Sequence, residues 1–337
     1  MVLKELCALR GISGDEGKVR EYIRTKIEPY AQVQVDRMGN LIAFKRGSGE
    51  NRRHIVVSAH MDEVGMNVSA IEDNGCLRYN PVGGIDPRIM YATRVLVGES
   101  ALPGVIGMKA MHLITPADRE HVRNHSEMFV DIGALDKASA EKLVSVGDSI
   151  TFDSPWVDFG EGLVKARALD DRIGCMEMIS LLEGDYPCDL TCIFTVMEEV
   201  GCTGAKVASF ERGADAVVIL ECTTANDIGN VKSREETCRL RDGVVLSVMD
   251  LTSIANGALY KRLSELAQEK EIPWQIKRRI SGGNEAGVYQ RHTGARATCV
   301  LSAPCRYIHS PSCVAAYADI EAQYRLIEAF LLEGGIY

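Results

Sequence analysis

Hydrophobic and polar positions divide the chain into two textures. Residues 1 to about 30 follow a helical pattern, broken at Gly11-Ile-Ser-Gly14 and stopped at Pro29. Val33–Val35 and Leu41–Phe44 then predict a hairpin turning at Gly39-Asn40. The run His54–Ala59 reads as a buried strand, and it ends in His60-Met-Asp-Glu-Val-Gly65. From about residue 160 the same α/β texture returns. Leu163–Ala166 is a strand, Arg172–Leu182 a helix, and Ile193–Met197 a strand buried on both faces. Gly201 and Gly204 open a further helix, followed by strands at Ala216–Leu220 and Val244–Val248. An amphipathic helix over Gly257–Lys270 precedes strands at Trp274–Ile280 and Ala297–Leu301, and a helix over Ala315–Leu332 closes the chain.

Between these halves the pattern shortens. Residues 66–159 offer brief strands punctuated by Gly75, Pro81-Val-Gly-Gly84, Pro103-Gly104 and Gly147-Asp148, with one helical stretch at Lys137–Val144. That predicts a β-rich domain (66–159) inserted into an α/β domain built from residues 1–65 and 160–337.

Composition narrows the function classes. A formal charge of -9 argues against a nucleic-acid or anionic-membrane partner, which would require a basic face. No apolar run reaches the length of a membrane span. Met1–Arg10 carries charges within its apolar run and reads as an amphipathic helix, not a signal peptide. The 11 cysteines are odd in number and lack short paired spacings, so free thiols in a reducing cytoplasm are expected.

Polar residues at predicted strand ends carry the candidate chemistry, because open α/β sheets collect ligands there. His60 and Asp62 follow one strand; as i and i+2 on extended backbone they share a face, so Asp62 can orient the His60 ring. Asp170-Asp171 precede a helix, where an N-cap role accounts for only one of them. Glu198-Glu199 end the apolar Ile193 strand, and a buried carboxylate pair requires cations or hydrogen bonds. Glu221 ends the next strand, and His309 lies in the loop before the last helix. Two histidines with several carboxylates suit Zn²⁺, Co²⁺ or Mn²⁺ in a site without cysteine ligands.

The motifs His60-Met-Asp-Glu-Val-Gly65, Ala168-Leu-Asp-Asp-Arg172, Glu198-Glu-Val-Gly201 and Arg306-Tyr-Ile-His-Ser-Pro311 stand in the order of a known family. The chain resembles the dinuclear metallo-aminopeptidases that include glutamyl aminopeptidases and the tetrahedral (TET) aminopeptidases, over nearly its whole length. The resemblance implies a three-layer mixed-sheet catalytic domain with an inserted PDZ-like dimerisation domain, and dimers assembling into dodecamers. It implies two divalent ions, one on His60, Asp170 and Glu221, the other on Asp170, Glu199 and His309. Asp62 would support His60, and Glu198 would act as general base toward a water shared by the ions, on short peptide substrates. Two departures are visible: Glu221 stands where the family usually has Asp, and Asn284-Glu285 where it usually has Thr-Asp. They keep a deacylase of small N-acyl compounds as the alternative. An endoglucanase would need two opposed carboxyl groups and would leave the histidines unexplained.

Overall fold

The computed structural model describes residues 1–113, 115, 122–209, 213–229, 231–291 and 296–337. The strands are β1 (Gln32–Val35), β2 (Leu41–Lys45), β3 (His54–His60), β4 (Gly65–Ile71), β5 (Leu77–Val82), β6 (Arg94–Val97), β7 (Leu102–Met108), β8 (Met128–Asp131) and β9 (Ser149–Phe152). They continue with β10 (Val157–Asp158), β11 (Leu163–Ala166), β12 (Asp189–Thr195), β13 (Ala216–Thr224), β14 (Val244–Ser247), β15 (Trp274–Ile276), β16 (Ala297–Arg306) and β17 (Cys313–Ala316). The helices are α1 (Val2–Ala8), α2 (Gly17–Ile27), α3 (Lys137–Ala140), α4 (Leu169–Glu183), α5 (Thr203–Ala208), α6 (Gly257–Glu269), α7 (Ala286–Arg291) and α8 (Tyr317–Leu332).

An 11-stranded mixed sheet runs in the order β1-β2-β12-β3-β13-β16-β17-β11-β10, with β14 and β15 branching from β16. β12, β3, β13 and β16 are mutually parallel, so their carboxyl ends lie along one edge. Side chains of a strand alternate between faces. Ile55, Val57 and Ala59 therefore pack with Leu190, Phe194, Val218 and Leu220 against α2, α4, α6 and α8. Val56, Ile193, Val217 and Ile219 point the other way, against α5 and α7. Helices thus cover both faces. Strands β4 to β9 close a separate barrel around Met66, Val68, Ile106, Val130, Ile150 and Phe152.

Several sequence expectations need correcting. Val157–Asp158 pairs with β11, so the chain rejoins the large sheet before residue 160. The strand expected over Ile193–Met197 stops at Thr195, because the Val196 amide donates to the Asn40 side chain and Met197 takes φ 56°. Cys313–Ala316 is a strand, not the start of the last helix; ladder bonds to β11 and β16 override the helix propensity of its alanines. The strand expected to Ile280 ends at Ile276, after its last pairing with β14. The helix expected over Lys137–Val144 is a single turn, and α7 lies where no helix was expected.

Candidate metal centre and active site

Strand parity delivers the first two donors. Ser58 is in register with Ile219, so two positions further on His60, the last residue of β3, and Glu221, which lies within β13 and not at its end as expected, emerge on the same face. His60 Nε2 lies 3.5 Å from Glu221 Oε1 and 3.4 Å from Asp170 Oδ1. The other Asp170 oxygen, Oδ2, lies 3.4 Å from His309 Nε2, which is 3.2 Å from Glu199 Oε1. One carboxylate therefore faces both imidazoles, one oxygen to each. Asp171, one residue on, also brings an oxygen within 4.8 Å of donors on His60 and Glu221.

The remaining ring nitrogens are occupied. His60 Nδ1 is 3.0 Å from the Asp62 carbonyl oxygen and 3.3 Å from its carboxylate. His309 Nδ1 is 2.9 Å from the Gly84 carbonyl oxygen, which the barrel contributes. If each Nδ1–H donates to its carbonyl, each Nε2 points a lone pair at carboxylate oxygens. Acceptor against acceptor at these distances is repulsive unless a proton or a cation stands between them. Burial alone would pull His309 down, but the facing Asp170 and Glu199 push it up to about 11. His60 moves up for the same reason, through Asp170, Asp62 and Glu221. Burial pushes Glu198 up to about 8, helped by neighbouring Glu199 and Glu285, and raises Glu199 and Glu221 as well. No lysine or arginine pairs with Asp170, Asp171, Glu198, Glu199 or Glu221 among the described residues. The Asp170 Oδ1 and Asp171 Oδ2 atoms are buried without a hydrogen-bond partner. This donor set fits divalent cations, which would satisfy the carboxylates and both Nε2 atoms together.

Asp62 ties the two motifs into one unit. Fully buried, it accepts from Ser13 Oγ at 2.6 Å, from the Glu198 amide at 3.0 Å and from the Glu199 amide at 3.2 Å. Asn40 clamps the far end of the same loop, accepting from Val196 N and donating to the Gly204 carbonyl, both at 3.0 Å. Gly204 is required there: a Cβ would lie 2.3 Å from Val196 O. Left-handed backbone recurs around the site at Ala168, Met197, Cys202, Tyr307 and His309, with φ between 53° and 57°. Such conformations cost non-glycine residues about 1–3 kcal/mol each and persist where surrounding contacts enforce them.

The structure therefore gathers His60, Asp170, Glu198, Glu199, Glu221 and His309 along one cleft, with Asp62 buried behind His60. Sequence reasoning missed Asn40, which it assigned to a turn, and Ser13 and Gly84, and it named Asp171 without giving it a role. Asp171 is the member of the doubled acid that caps, accepting from the Gly174 amide at 3.1 Å. For Gly84 there was no signal, since a backbone carbonyl has no sequence signature.

A carboxylate–histidine cluster at the carboxyl edge of a mixed α/β sheet suits metal-dependent hydrolysis, the chemistry of the metallopeptidase class. The M42 glutamyl aminopeptidase model matches residues 39–326, and the chain belongs to that family. It is an aminopeptidase of a metal-dependent peptidase family. The lysyl aminopeptidase of Pyrococcus furiosus is 30% identical over 344 residues, covering 98% of this chain and 96% of the relative. The aminopeptidase structure from Desulfurococcus kamchatkensis superposes with a TM-score of 0.93 at 31% identity, covering 98% of this chain and 93% of that one. The Pyrococcus horikoshii TET1 peptidase, which assembles into a tetrahedron or a large octahedral shell, gives 0.86 at 33% identity and covers 98% of each chain. Among the described residues no helix is long and apolar enough to cross a membrane.

Proposed function

We propose that the chain removes N-terminal residues from short peptides with two divalent ions, Zn²⁺, Co²⁺ or Mn²⁺. His60, Glu221 and Asp170 hold one ion, and Asp170, Glu199 and His309 the other. The observation that carries this reading is Asp170 facing both imidazoles, one oxygen toward each. When bound, the ions supply a water of lowered pKa and polarise the scissile carbonyl. Glu198 lines the same cleft; among the described residues its carboxylate has no lysine or arginine partner and accepts one hydrogen bond, from the Cys202 thiol at 3.2 Å. Burial raises its carboxyl, which makes the ionised carboxylate a stronger base toward the attacking water. As the carbon–nitrogen bond breaks, Glu198 passes that proton to the departing amine, which leaves neutral. Asp62 holds His60 and the Glu198-Glu199 amides in place.

Glu198→Gln tests the assignment. It should retain its metals and its fold while activity falls by orders of magnitude; turnover near the wild-type rate would refute the base. Chelation should abolish release of free N-terminal amino acids, and so should acylation of the substrate α-amine. Cleavage of N-acyl compounds in place of free peptides would favour the deacylase reading.

The acidic end of the cleft suits an α-amine, and Lys277 suits what lies beyond it. Lys277 is the one lysine or arginine lining the cleft, its Nζ donates to the Ser281 carbonyl at 2.9 Å, and no carboxylate pairs with it among the described residues. That favours an acidic N-terminal side chain. The barrel is the subunit-contact module in this reading: Leu135, Leu143 and Val146, next to α3, are exposed apolar residues. Dimers built through it would assemble into a dodecamer, and light scattering of the intact protein measures the particle directly.

A further inference from the structure

The metal-site cleft has a neighbour. Beyond His309 lies a second, more apolar groove of about 590 Å³, and Gly84, Ile308 and His309 line both. The barrel supplies one wall with Asp86 and Ile89, and the loop after β16 supplies the other with Tyr307 and Pro311. Gly84 and His309 join the walls through their 2.9 Å hydrogen bond. Tyr307 is 51% exposed at φ 56°, so a strained backbone presents its ring to solvent instead of burying it.

Polarity assigns the two cavities to the two sides of the scissile bond. The first holds Asp170, Glu198, Glu199 and Glu221 and can receive a cationic α-amine. The groove offers a single carboxylate, Asp86, which is paired with the Arg88 guanidinium. It is therefore poorly suited to an amine and well suited to an apolar side chain. Because Gly84, Ile308 and His309 line both cavities, a peptide held by its α-amine in the first can place its next residue in the groove.

We propose that this groove binds the residue on the carboxyl side of the scissile bond, with Ile89 and Tyr307 selecting a large apolar side chain there. The inference rests on the aminopeptidase reading and adds the second residue of the substrate to it. Burial of a leucine-sized side chain in an open groove corresponds to about 10-fold or more in kcat/KM.

The test is a dipeptide-amide series with one fixed N-terminal residue and Gly, Asp, Leu or Phe in second place, assayed with the metal-loaded enzyme. Leu and Phe should exceed Gly by about 10-fold, chiefly through KM. Ile89→Ser and Tyr307→Asn should each bring the Leu-to-Gly ratio toward one. Asparagine tolerates left-handed backbone, which keeps the loop intact. Equal rates across the wild-type series would overturn the proposal, as would an unchanged ratio in Ile89→Ser, which lies outside the strained loop. If no member of the series were cleaved, and chelation changed nothing, the aminopeptidase reading itself would fail instead.

Discussion

Asp62→Asn is the most informative perturbation of the site, because it changes hydrogen-bond polarity with almost no change in volume. The carboxylate faces four donors: Ser13 Oγ at 2.6 Å, Glu198 N at 3.0 Å, Glu199 N at 3.2 Å and His60 Nδ1 at 3.3 Å. An ionised carboxylate only accepts, so it suits all four. An amide can accept on one side only. Its least costly orientation turns the NH2 toward Ser13 and Glu199; the serine hydroxyl can rotate to accept, but the Glu199 amide cannot. One buried donor is left unpaired, at about 1–3 kcal/mol, and the surviving bonds lose their charge assistance. Removing a buried anion offsets part of this, leaving a net destabilisation of about 2–4 kcal/mol. The His60 ring keeps its acceptors, the Asp62 carbonyl oxygen and the retained side-chain oxygen, but loses the negative charge behind it, which should weaken metal binding by about 10–100-fold. Chemical unfolding of the metal-free protein reads the first quantity, and competitive metal titration reads the second. Unfolding within about 1 kcal/mol of wild type, with metal affinity intact, would show that Asp62 is not the organising acceptor.

Three further outcomes follow from the same geometry. Lys277→Met should lower the ratio of kcat/KM for N-terminal Glu over Leu by about 10–100-fold, and an unchanged ratio would remove Lys277 from the specificity pocket. Asp227, whose two oxygens each lie 2.7 Å from the Arg306 guanidinium at the base of the His309 loop, should stabilise the fold in a pH-dependent way. Burial alone would raise its carboxyl, but Arg306 holds it below the ordinary 3.8, so its contribution is complete above that value and fades as pH falls through the lower folded one. Wild type should therefore keep its lead in melting temperature over Asp227→Asn until about pH 4 and lose it below. Glu285 runs the opposite way: burial raises it above 4.5 despite hydrogen bonds from Ser58 and Thr195, so ionisation weakens folding above that value. Glu285→Gln should melt higher than wild type at pH 8, with the gain shrinking as pH approaches 4.5; a lower melting point at pH 8 would contradict this.

Much of the architecture was legible because burial periodicity is local. The buried strands at His54–Ala59 and Ala216–Leu220 announced themselves as apolar runs, and the polar residues after them marked the site-bearing edge, although the second strand runs on past Glu221 to Thr224. The order of four motifs was enough to place the family. Where ladder bonds overrode propensity, the chain gave no warning. Ala315-Ala316 read as the start of the last helix yet end a strand between β11 and β16, and α7 is too short to show a period.

The sequence by itself determined which residue types could hold a cation and that they follow the apolar cores of buried strands, since both follow from composition and a period of two. Only the tertiary structure decided that Asp170 divides its oxygens between His60 and His309, 139 positions further along the chain. It alone turned Asn40, Ser13 and the Gly84 carbonyl into supports of the site. Those contacts depend on distances between segments remote in sequence, which the packing of strands and barrel sets and no local pattern encodes.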